Sequence, residues 1–184
     1  NLPASVQHAN KLAEHAIEIV EAAAEHGAHY IFENPVGRDA SSQFAIKGRE
    51  EHASLWKLPA MVRFAQKHGA RPVHFDQCRT GSSTMKTTQL LCSPTVVDAV
   101  RERLGHLICN HPNGTHEPIV GMGADEQGNY RTKPTELFTS ELNRQLAEAM
   151  LAPRARTEGW LVALGSAIEP YTNRLADALA YTYT

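Results

Sequence analysis

Two groups of residues could do chemistry by their type and spacing. Cys109, His111 and His116 share one short, proline-containing loop, and Cys92 ends a candidate strand that can fold back beside it. Two thiolates and two imidazoles are ligands that zinc prefers in closed tetrahedral sites, and a metal held this way would staple a long loop. The spacing has neither the C-x2-C nor the H-x3-H form of common zinc fingers, so ordinary loop residues are the competing reading. The second group is Glu33-Asn34-Pro35, which closes the apolar run Tyr30-Ile31-Phe32. In open α/β sheets, ligand and catalytic groups sit just past the carboxyl ends of strands. A desolvated Glu33 there would serve as a proton donor, and Asn34 would hold a substrate edge or the glutamate itself. Glu33 as a turn cap is the alternative.

Two further combinations are weaker. Asp76 and Glu33 could converge at neighbouring strand ends around a cation or polar substrate. Cys78 and His74 could form a nucleophile and base, but positions four apart on a strand are about 13 Å apart, too far for a hydrogen bond.

The elements that must position these residues follow from periodicity. Val6, Ala13, Ile17, Val20 and Ala24 recur with helical spacing, which predicts a helix over 6–25 leading into a strand over 28–32. A polar loop over 37–52 precedes a helix over 54–68, with Pro59 in or near its first turn. Val73 and Phe75 alternate with His74 and Asp76, as expected of a strand over 72–78, and 87–92 returns as a hairpin strand. Helices follow over 94–104, 139–151 and 167–180, with an aperiodic excursion over 109–133. This alternation predicts an α/β fold, a mostly parallel Rossmann-like sheet plus a hairpin strand, covered by helices and open at one edge. The expected division is an incomplete α/β domain over 1–152 and a helical extension over 153–184.

Composition narrows the classes. The chain has 184 residues and a formal charge of −2, with no run of Lys or Arg, so any contact with nucleic acid must be local. Three cysteines do not make a disulfide framework and point to a reducing, intracellular compartment or to a metal. No stretch is apolar enough to span a bilayer, and no charged-then-apolar leader precedes the first helix. Asn1 stands before that helix without an initiator Met, as in a processed product or a fragment.

The order of motifs over 5–92 resembles the second half of the catalytic domain of cytosine-C5 DNA methyltransferases, which use S-adenosylmethionine. There a helix precedes a strand ending in Glu-Asn-Val, where this chain has Glu33-Asn34-Pro35, and a strand and hairpin with a glycine and basic residues follows, as in 73–91 with Arg79, Gly81 and Lys86. More distantly, Ser54-Leu55-Trp56, Phe75-Asp76-Gln77-Cys78 and Lys86-Thr87 are similar to methyltransferase-like sequences of mobile elements and protists. The resemblance implies that Glu33 touches a flipped cytosine, that Asn34 orients its loop, and that Arg79 and Lys86 face DNA phosphates. The glycine-rich cofactor loop and the Pro-Cys nucleophile are not in the sequence. The chain would therefore be a carboxyl-terminal half that needs an amino-terminal partner to bring S-adenosylmethionine. The alternatives are a non-catalytic adaptor subunit whose open sheet edge is covered by another chain, and a zinc-stapled nucleic-acid-binding module.

Overall fold

The predicted amino-terminal helix is α1 (Ala4–Glu25) in a computed structural model that describes residues 4–45, 47, 54–116 and 138–158. Its stripe packs as the period demands: Ile17 is buried and Val20 and Ala24 lie beside it, against Tyr30, Met61, Phe64 and Leu91. Ser54 caps a 3-10 turn at Leu55–Lys57, and α2 (Pro59–His68) starts only after it. The break has a steric cause. Leu58, the residue before Pro59, is held extended at ψ 130, where a continuous helix over 54–68 would need it helical.

Gly69 closes α2 in the left-handed region at φ 62, its N–H bonded to the Ala65 carbonyl. The nearest atom to a Cβ there would be Pro94 Cγ at 3.6 Å, so Gly69→Ala meets conformational strain and no collision. We expect a loss of about 1 kcal/mol in chemical denaturation, with the denaturant slope unchanged.

The strands are β1 (Ile31–Pro35), β2 (Arg71–Asp76) and β3 (Thr87–Cys92), in the order β1-β3-β2. Both neighbours run antiparallel to β3. This corrects the parallel, Rossmann-like sheet expected from the alternation of strands and helices. β1 and β2 do point the same way and are joined through α2, but they never pair. The chain turns back after β2 through a 3-10 helix at Gln77–Thr80, ended by Gly81 at φ 97, and the returning β3 enters between them. The hairpin was legible, and its insertion was not.

Each face of the sheet carries its own core, as a period of two requires. Val73, Phe75, Leu90 and Cys92 pack against α3 (Val97–Leu104) and α4 (Ser140–Glu158), while Leu91 and Phe32 face α1 and α2. Phe75, Leu90 and Val100 are fully buried. Helix α4 continues through Pro153, so the expected boundary at 152/153 falls inside a helix. The helix expected over 167–180 lies outside the described residues. No helix among the described residues is long and apolar enough to cross a membrane.

Candidate metal centre

The end of β2 assembles a cluster from two distant parts of the chain. The 3-10 helix that follows β2 buries Cys78 directly after the strand. After α3 the chain runs back along this end: the Asp76 N–H donates to the Leu107 carbonyl at 2.9 Å, and the Cys109 N–H donates to Asp76 Oδ2 at 2.8 Å. These two bonds set Cys109 beside Cys78. A turn then closes through Thr115, whose N–H and Oγ1 both donate to the Pro112 carbonyl, and it returns His116 to the same place.

Cys109 Sγ lies 3.5 Å from His111 Nδ1 and 3.2 Å from His116 Nε2. The ligand atoms of Cys78, Cys109, His111 and His116 all fall within 4.8 Å of one another. Bonds to zinc of about 2.3 Å for sulfur and 2.0–2.1 Å for nitrogen give sulfur–nitrogen tetrahedron edges of about 3.5–3.6 Å, so the His111 separation matches an edge and the His116 separation is about 0.3 Å short of one. His116 Nδ1 sits 3.4 Å from the Ser83 carbonyl. With its proton there the ring donates to Ser83 and presents the Nε2 lone pair to the cluster, an outer contact of the kind that orients metal-bound imidazoles.

Electrostatics separates the two thiols. Hydrogen bonds from the backbone and ring of His111 draw Cys109 down to about 6, while burial pushes Cys78 up to about 11. At neutral pH one thiolate is therefore already formed, and a cation must displace the proton of the other. Zinc binding at pH 7 is expected to release about one proton from the thiols rather than two. Affinity should fall as the pH drops through about 6, where Cys109 takes up its proton and the metal must displace it as well. Calorimetry in buffers of different ionisation enthalpy reads both.

Cys92, expected as the fourth ligand, is not part of this cluster. It is fully buried in the α3-side core, with its thiol pointed at the Leu90 carbonyl at 3.8 Å and burial pushing it up to about 12. Cys92 pairs across the sheet with Arg71, whereas Asp76 pairs with Thr87, so β3 carries Cys92 about 17 Å from the turn that bears Cys78. Sequence reasoning placed Cys92 beside the loop because it ends the hairpin; in an antiparallel hairpin the residue nearest the turn is the one that leaves β2. That residue is Cys78.

The remaining expected residues are dispersed. Glu33 pairs with Lys86 at 3.4 Å, both half-buried. By register Glu33 lies opposite Leu90 and Asp76 opposite Thr87, which point to opposite faces of the sheet, so these two carboxylates do not converge on a cation. Asn34 lies beside Gln89, whose Oε1 is 2.9 Å from His74 Nε2. Arg79 donates to the Asn110 side chain on the rim of the Cys/His cluster. The family, curated-protein and solved-structure comparisons found no match.

One polar cluster had no expectation attached to it. Asp39 is buried in the loop after β1, where it accepts from Lys57, the Ser41 N–H and Ser41 Oγ, and these bonds draw its carboxyl down to about 2. Lys57 Nζ also reaches Ser41 Oγ at 2.5 Å. Asp39 and Lys57 are 18 residues apart, a separation at which no local pattern announces an ion pair. The arrangement ties the loop to the turn before α2.

Proposed function

We propose that the chain is a zinc-stapled module in which the metal is structural. One observation carries this reading: two cysteines and two histidines from separate segments converge with their ligand atoms within 4.8 Å of one another. Four protein ligands would fill the coordination shell and leave no position for a reacting water, which is the pattern of structural rather than catalytic zinc. Cys78, Cys109, His111 and His116 would hold the ion, and the gain is the fixing of loop 109–116 to the end of the sheet. Metal analysis of the untagged chain tests it. One zinc per chain, removable by a chelator with loss of thermal stability, is the expected result; a chain that neither carries nor takes up zinc would overturn the reading.

A narrower form of the proposal is a nucleic-acid-binding module, supported by exposed Arg79 on the rim of the staple, braced by Asn110. With a formal charge of −2 the chain supplies no general attraction, so binding would be local and salt-dependent. Fluorescence anisotropy with DNA and RNA duplexes, comparing Arg79→Ala with the parent, decides it. The adaptor reading is supported by β1 and β2 standing as the edge strands of the sheet among the described residues. A zinc-loaded chain that is monomeric by light scattering and exposes no apolar face would remove that support.

A further inference from the structure

We propose that Cys78 and Cys109 form a peroxide-sensitive release for the metal, in which a hydroperoxide joins the two sulfurs in a disulfide and frees the zinc. The inference rests on the zinc reading of the site and adds its regulation.

Three observations carry it. The two sulfurs already lie within 4.8 Å of each other, and a disulfide needs about 2.05 Å, so they have at most about 2.8 Å to close. Cys109 stands on an irregular loop, partly open to solvent, while Cys78 is buried behind it, so an oxidant meets Cys109 first and Cys78 is placed to resolve it. The third cysteine, Cys92, lies in the core at the other end of the sheet. With three cysteines in the chain, the fold leaves one intramolecular pair to form.

The chemistry balances in two steps. The Cys109 thiolate attacks the peroxide, the O–O bond breaks, an S–O bond forms, and the departing hydroxide or alkoxide takes a proton to leave as water or an alcohol. The Cys78 thiolate then attacks the Cys109 sulfur, the S–O bond breaks as the S–S bond forms, and the second hydroxide leaves as water with a second proton. Two electrons pass from the sulfurs to the peroxide. Zinc loses two of its four ligands, and the two imidazoles left behind do not make a closed site.

The test uses the full chain loaded with zinc, its zinc content measured first, then titrated with hydrogen peroxide. Released zinc is read with a chromophoric chelator, and the thiol state by differential alkylation and peptide mass mapping. The expected result is one Cys78–Cys109 disulfide for each zinc released, reversed by dithiothreitol plus zinc, with Cys92→Ser behaving as the parent. Zinc retained with reduced thiols under several-fold excess peroxide would overturn the inference, as would zinc released with Cys109 as a sulfinate and no disulfide; in both cases the zinc site itself stands. A chain that holds no zinc before peroxide is added removes the site and this inference together.

Discussion

Cys78→Ser is expected to remove stoichiometric zinc binding, while Cys92→Ser keeps one zinc per chain. The two residues are alike in sequence terms: each lies at or just past the end of a strand, and both are buried. They differ in what surrounds them. Cys78 faces Cys109, His111 and His116, whereas Cys92 is buried in the same α3-side core as Val96, Val100 and Leu104. A serine hydroxyl is a poor ligand for zinc, and losing one of four donors should weaken affinity by more than the roughly 10–100-fold that outer contacts contribute. Competition with a chromophoric chelator measures the difference. The cobalt-substituted chain supplies an independent reading, because thiolate-to-cobalt charge transfer should be reduced by Cys78→Ser and unchanged by Cys92→Ser. Equal zinc loss in both variants would place the site elsewhere.

The contrast shows which parts of the molecule its sequence discloses. Periodicity identified α1, β2 and the return of β3, because each buries a face whose spacing is visible within a few residues. Residue type and closeness in the chain picked out Cys109, His111 and His116. Strand pairing was not visible. The order strand, helix, strand, hairpin is shared by a parallel sheet and by one in which the last strand inserts, and the choice depends on which edge of β1 the β3 backbone meets. That one choice overturned the Rossmann-like expectation. It also put Glu33 and Asp76 on opposite faces. The Asp39–Lys57 pair was hidden for a related reason, since contacts between separate loops leave no periodic trace.

Asp76 couples the sheet to the Cys/His cluster, and Asp76→Ala is expected to damage both. Its carboxylate is buried, and Oδ2 accepts the Cys109 N–H at 2.8 Å while its own N–H holds the Leu107 carbonyl at 2.9 Å. Truncation leaves the backbone bond to Leu107 and removes the one to Cys109, so a partly buried N–H loses a charged acceptor. A cost of about 1–3 kcal/mol in folding stability follows from an unpaired donor at such a position. Zinc affinity should fall by about 10–100-fold, because Cys109 then has to be ordered by the metal itself. The two effects separate experimentally. Denaturation of the metal-free chain reports the first, and chelator competition the second. Asp76→Asn, whose amide oxygen can still accept from Cys109, is expected to recover most of the affinity. If Asp76→Asn were as damaging as Asp76→Ala, the charge near Cys78 would matter more than the hydrogen bond to Cys109, and the link between strand and staple would be electrostatic.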